Sequence, residues 1–331
     1  MGPLSLVVRM DSRQIFKAAG FVILTSIAIP ANLLVCSTFL HSLLMDGKLL
    51  TTDIILCHLA FANLMVTFTR GIPQTLTAFG YRNLFDDIGC KLSLVCFRIF
   101  RGLSISLTCL LSAYQAIAVS PASSRLALLK IPKYLQLIFV CLCVFSMLTS
   151  VHPIIFCSSR LINNTVPPYT FNYEYCFVTY PDSMTFISIG LSLFFKDFAF
   201  IVMMVIMSCY ILLLLYQHSK KVKILRCSDQ RHSGNRAETK ASRAVVTLVI
   251  LYFLIFGVDN AIWLYSLSTV RVLPIISDIR VFFSVLYTSV CPVVGIGTEG
   301  MCLTIVNYWW KFVPPLCIFQ CHEVPYNYQK L

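Results

Sequence analysis

Charge is what this sequence has least of. Asp, Glu, Lys and Arg make up only 12% of the 331 residues, against 58% hydrophobic side chains, where a soluble domain carries about 25% charged residues. That deficit excludes a soluble globular protein and leaves an integral membrane protein. Met1 to Phe16 lacks a compact apolar core followed by a small-residue cleavage site, so the first span is expected to serve as the targeting signal. Clustered histidines, or a Ser/Asp pair with a base, are missing, which argues against a membrane enzyme. His58 and His152 each stand alone in an apolar run with no second ligand at metal spacing, so neither a metal nor any other cofactor is assigned. The chain has no internal repeat and no second domain, so a single unit is expected over residues 1–331, and a transporter built from paired halves is disfavoured.

The net charge of +12 does not point to nucleic acid, because the cations lie between apolar spans and not on the face of a soluble fold. Seven apolar segments can be read, at about Lys17–Leu44, Thr52–Phe79, Cys90–Pro121, Tyr134–Cys157, Met184–Tyr216, Ala241–Leu267 and Ile279–Val306. Each is long enough to cross a hydrocarbon core of roughly 30 Å as a helix. The expected fold is therefore an all-α bundle of seven transmembrane helices occupying residues 17–306, with 1–16 outside and 307–331 as a cytoplasmic tail. The last span holds no lysine for a retinal Schiff base.

Basic residues in short loops set the orientation. With the amino terminus outside, fourteen of them fall inside, eight of these between Lys220 and Arg243, and eight fall outside, including Arg82, Lys91, Arg160 and Arg280. The Asn163-Asn164-Thr165 glycosylation acceptor then lies outside, as do Cys90 and Cys176, which are permitted to pair on an oxidising side. Trp263 and Trp309-Trp310 fit interfacial positions. Tyr308 to Phe312 reads as a short amphipathic helix along the membrane, followed by Cys317 and Cys321, which are either palmitoylation sites or plain thiols. The basic run from Lys220 faces either a cytosolic partner or anionic membrane lipid.

Six ionisable residues interrupt the spans, namely Arg70, Arg98, Arg101, Lys196, Asp197 and Asp259, all in the outer halves. Burying them needs a reason, since a charge at mid-bilayer costs roughly 2.5 to 3.5 kcal/mol on insertion scales. They are either interhelical ion pairs or the lining of a ligand cavity with surplus positive charge. Arg98 and Arg101 are three apart and share one helix face. Arg101, the deeper, is the expected direct contact for an acidic ligand, because its planar fork takes a carboxylate in two hydrogen bonds.

Asn32 in the first span, the Cys90 and Cys176 pair and Pro292 in the seventh resemble the rhodopsin-like superfamily of G-protein-coupled receptors. Tyr114-Gln115-Ala116 stands where that superfamily has Asp-Arg-Tyr, Asn63 where it has a sodium-binding aspartate, and Cys291-Pro292-Val293-Val294-Gly295 where it has Asn-Pro-x-x-Tyr. Those departures, with Arg70-Gly71-Ile72-Pro73, Arg98-Ile99-Phe100-Arg101-Gly102-Leu103-Ser104 and Thr108-Cys109-Leu110-Leu111-Ser112, resemble the vomeronasal type-1 receptors and their fish counterparts, the class A-related olfactory receptors. The resemblance implies a multi-pass plasma-membrane pheromone or odorant receptor coupled to Gi/Go-type heterotrimeric G proteins. Its ligand is a small molecule, and Tyr114, Gln115 and Ala116 face the G protein. The alternatives are a seven-helix receptor of another branch, bitter-taste-like or orphan, and a membrane transporter.

Overall fold

The computed structural model describes residues 12–46, 51–120, 132–160, 167–225, 234–269 and 274–298. The chain folds as helices α1 (Ser12–Asp46), α2 (Thr51–Val66), a π-turn (Thr67–Gly71), α3 (Ile72–Ala78), α4 (Asp87–Val119), α5 (Pro132–Thr149) and α6 (Pro153–Phe156). Strands β1 (Cys157–Ser158), β2 (Thr170–Asn172) and β3 (Phe177–Thr179) precede α7 (Ser183–Leu225), α8 (Gly234–Ser268) and α9 (Pro274–Thr298). Six of these stretches are long and apolar enough to cross a membrane, those within α1, α2 to α3, α4, α5 to α6, α7 and α8. The chain is a multi-pass helical membrane protein.

Packing closes the helices into a ring. α1 lies between α2 and α9, α9 packs on α8, and α8 packs on α7. α4 touches α2, α5, α7 and α8 and runs through the centre. Its inward residues Leu103, Ile105, Leu107, Cys109 and Leu111 form one buried core with Leu59, Met204, Phe256 and Tyr287. Leucine, isoleucine and phenylalanine left outside, among them Ile23, Leu137, Leu148, Phe195 and Leu213, would be a liability in water and suit lipid.

Polar side chains inside this core satisfy one another. Asn32 donates to the carbonyls of Ala28 and Thr288, at 2.8 and 2.9 Å, fastening α1 to α9. Ser104 donates to Asn63 Oδ1 at 2.7 Å, and Thr108 pairs with the Tyr287 hydroxyl at 2.8 Å.

Two spans depart from regular helix, and the all-α expectation needs correction. The fourth span is not one helix, because Pro153 has no N–H and its ring clashes with the carbonyl four residues back; α5 stops at Thr149 and α6 restarts at Pro153. The second span swells into a π-turn at Thr67–Gly71 just before Pro73. The all-α expectation omits an outer three-stranded sheet of order β1-β3-β2. Its β2 and β3 pair antiparallel, with Phe171 opposite Val178, and the alternation of aromatic and β-branched residues there is an ordinary strand signal. The sheet caps the bundle over Leu94, Tyr173, Tyr175, Tyr180 and Phe186.

Candidate functional site

Beneath that cap, α4, α7, α8 and α9 each deliver charged side chains to one place. Arg101 of α4 donates from one terminal nitrogen to Asp197 Oδ2 of α7 at 2.9 Å and from the other to Asp259 Oδ2 of α8 at 2.6 Å. Arg280 of α9 donates to the second oxygen of Asp259 at 3.2 Å, and Lys196 Nζ lies 3.4 Å from Asp197 Oδ1. Asp197 and Asp259 are only 3% and 2% exposed, a depth at which a carboxylate needs partners to stay ionised. Arg101 lies over the Phe256 ring and Arg280 over Trp263, with guanidinium carbons 5.2 and 4.1 Å from the ring centroids. The result is one ionic junction binding four helices.

Small residues let it close. At Gly102 an added Cβ would come within 3.2 Å of Lys196 Nζ, and at Gly190 one would overlap Leu267 at 2.3 Å. The second approach also brings the Gly190 carbonyl to Trp263, whose indole N–H donates to it at 3.0 Å.

Against the junction lies a cavity of about 30 Å³, lined by Arg98, Arg101, Ser150, Lys196, Asp197, Asp259, Asn260, Trp263 and Arg280 among others. That holds about two waters, so an organic ligand needs side chains to move. Four cations face two carboxylates there. Arg98 Nε, Ser150 Oγ, Asn260 Nδ2 and Asp197 Oδ1 are buried without a hydrogen-bond partner among the described residues, the last with only the Lys196 ammonium at 3.4 Å. Three of the four can donate, so the larger part of the wall's unmet capacity is for an acceptor.

Five of the six expected residues thus meet at one cavity, and Arg70 stands apart. Its guanidinium, on the π-turn, is stacked under the cap, 4.4 Å from the Tyr173 ring centroid and 5.1 Å from that of Phe97, with the Tyr175 hydroxyl at 3.4 Å. Arg98 reaches the same tyrosine, donating to the Tyr173 hydroxyl at 3.1 Å. Burial raises the Tyr173 phenol, but Arg98, Arg280 and Arg70 outweigh that and hold it below its ordinary value. The cap is latched by Glu174, which accepts from Gln74 at 2.7 Å and Thr77 at 3.2 Å and pairs with Lys17 at 2.5 Å; Lys17 also reaches Asp278 on α9.

Sequence reasoning missed Arg280, Asn260, Ser150 and Tyr173. Arg280 counts among the outer cations although Ile279–Val306 already includes it; it belongs to α9 and pairs with Asp259. Trp263, expected at the membrane interface, is instead 5% exposed and stacked on Phe171, because Asp259 four residues earlier turns that helix face inward.

Cys90 and Cys176 are disulfide-bonded, with Cα atoms 5.8 Å apart, tying the first turn of α4 to the cap. Cys157 lies close to both sulfurs, but with two of the three thiols consumed this cluster is not a metal site. At the other end of α4, Tyr114 is half-buried, Gln115 is buried and Ala116 packs against Ile211 and Val246. Asn163, Trp309-Trp310, Cys317, Cys321 and the segment 308–312 lie outside the described residues.

The model of the vomeronasal organ pheromone receptor family matches residues 17–308. Among curated relatives, olfactory receptor class A-like protein 1 of Danio rerio is 40% identical over 300 residues, covering 88% of this chain and 91% of that protein. Vomeronasal type-1 receptor 1 of Homo sapiens is 32% identical over 266 residues, 76% of this chain and 71% of that protein, and vomeronasal type-1 receptor 90 of Rattus norvegicus is 28% identical over 298 residues, 86% and 91%. The chain belongs to the vomeronasal type-1 receptor family, a family of receptors and not of enzymes.

Proposed function

We propose that this chain is a seven-span chemosensory receptor of the plasma membrane, amino terminus outside, whose outer cavity binds a small acidic ligand. In this reading residues 1–16 are extracellular, Asn163 is glycosylated, 307–331 are cytoplasmic, the basic run from Lys220 faces anionic lipid or a cytosolic partner, and a Gi/Go-type heterotrimeric G protein engages the inner end. The carrying observation is the surplus of cations and unpartnered donors around the cavity. Arg101 lines that cavity but already spends both terminal nitrogens on Asp197 and Asp259. The ligand's carboxylate therefore goes to Arg98, with Ser150, Asn260 and Lys196 completing its shell, while Arg101 holds the wall in shape. Arg70 orders the cap from behind.

Lys196 offers a route to signalling. An anion that draws Lys196 from Asp197 changes how α7 packs on α4, and a preference of 1 to 3 kcal/mol for the shifted state changes its population roughly 5- to 150-fold. Ala116 is closed in by Ile211 and Val246, so a G protein reaches Tyr114, Gln115 and Ala116 as α7 and α8 move away from α4. The test is a panel of small acids, amines and neutral odorants in cells carrying a promiscuous G protein, with wild type and Arg98→Gln. Acids are expected to be the agonists, and Arg98→Gln to weaken them about 10- to 150-fold, the worth of roughly 1.5 to 3 kcal/mol for a charged hydrogen bond. Amines or neutral odorants as best agonists, indifferent to Arg98, would reduce the cations to structural pairs.

A second expected result concerns sodium. Asn63 offers a neutral amide, its oxygen occupied by Ser104, so no carboxylate is present there to hold the ion. Agonist affinity is expected to be the same in sodium and in a bulky organic cation at equal ionic strength; a sodium-specific right-shift would refute this.

A further inference from the structure

The sulfurs of Cys90, Cys157 and Cys176 lie within 4.8 Å of one another, and all three residues are buried. Cys90 and Cys176 share the disulfide that tethers the cap, while Cys157 remains a thiol. Neither neighbour is free to drift from it. Cys157 opens β1 and pairs in register with Val178, two residues beyond Cys176, and Cys90 is fixed in the first turn of α4. A thiol held this close to a disulfide can reach either bridging sulfur by a small side-chain movement, without a change of fold.

We propose that Cys157 is an exchange nucleophile for the Cys90–Cys176 disulfide, so that the tether of the outer cap is interchangeable and not fixed. The step is redox-neutral. Cys157 gives its proton to solvent, and its thiolate attacks one bridging sulfur; the new S–S bond forms as the Cys90–Cys176 bond breaks, and the expelled thiolate takes up a proton from solvent. Attack at Cys176 releases α4 from the cap and staples β1 to the turn before β3. Attack at Cys90 keeps α4 bound to β1 but frees the half of the cap that carries Tyr173 and Glu174. Either product alters the lid over the cavity without changing the number of disulfides.

The surroundings set the rate. Burial pushes the Cys157 thiol up to about 11, with Lys91 and Arg98 of α4 opposing and Asp87 adding to the rise; the buried Tyr175 phenol of the cap also faces it. The thiolate is therefore scarce at neutral pH, and exchange is slow there, quickening about tenfold per pH unit below that value.

The experiment uses the full-length receptor purified in detergent without added thiol or oxidant. Samples are held at pH 7 and pH 9, quenched in acid, blocked with maleimide and mapped by mass spectrometry without reduction. Expected are bridges containing Cys157, forming about 100-fold faster at the higher pH, at a rate unchanged by tenfold dilution. They are absent from Cys157→Ser and from Cys157→Ala, in which Cys90–Cys176 and surface delivery persist. The proposal is overturned if Cys90–Cys176 remains the sole bridge among the three at both pH values, if the rate falls on dilution, or if exchange continues without Cys157.

Discussion

Arg101→Ala is expected to leave almost no folded receptor at the cell surface. Its guanidinium is the shared partner of Asp197 and Asp259, and deleting it strands two carboxylates that are almost wholly buried. Arg280 and Lys196 remain near them, at 3.2 and 3.4 Å, but each meets only one carboxylate and neither replaces the bridge between α7 and α8. Removing one partner of a buried pair costs about 3 to 5 kcal/mol, a large share of the roughly 5 to 15 kcal/mol that holds a domain folded. Arg101→Lys is expected to fall between, because a single ammonium cannot reproduce two donors aimed at two carboxylates. Asp197→Asn combined with Arg101→Met should recover part of the loss, since the two changes act on one network and are not additive. Surface labelling and thermal unfolding in detergent measure this. A wild-type melting temperature for Arg101→Ala would show that the junction contributes little.

Cys90→Ala is the second change with a large expected effect. The disulfide spans a sequence separation of 86, and closing a loop of that size removes about 4.5 kcal/mol of chain entropy from the unfolded state on the entropic model, within the 2 to 5 kcal/mol typical of native bridges. Loss of the bridge also unpins the cap that presents Tyr173 to Arg98 and Arg70. Reduced surface delivery is expected, with the fraction that arrives responding weakly to agonist. Normal delivery and normal response in Cys90→Ala would contradict it.

How much of this was legible beforehand differs by residue. The apolar runs declare their helices, because a bilayer demands length and hydrophobicity together. Arg98, Arg101, Lys196, Asp197 and Asp259 declare a shared site, because buried charge is too costly to scatter. Which cation pairs with which anion was not legible, since spacing along one helix carries no information about its rotation against the next. Arg101 consequently looked like the ligand's contact, whereas its fork is taken by two aspartates. Arg280 lies near the outer end of the seventh span, where a cation reads equally as a loop charge for orientation or as a cavity charge, and only its pairing with Asp259 decides. The π-turn before Pro73 and the break before Pro153 follow from proline chemistry that hydropathy alone does not see. Trp263 illustrates a general hazard: tryptophan near a span's end suits the interface, but here an inward-facing Asp259 one turn away decides its direction.

The central claim is that the cavity's unmet donors recognise an anion through Arg98. Its most direct measurement is a cycle between ligand charge and that side chain: potencies of a carboxylic acid agonist and of its primary amide, on wild type and on Arg98→Gln. The account predicts that the acid exceeds the amide by about 10- to 150-fold on wild type, the margin of a charged hydrogen bond, and that this ratio collapses toward one in the variant. A ratio that is already near one on wild type, or that survives Arg98→Gln unchanged, would contradict it.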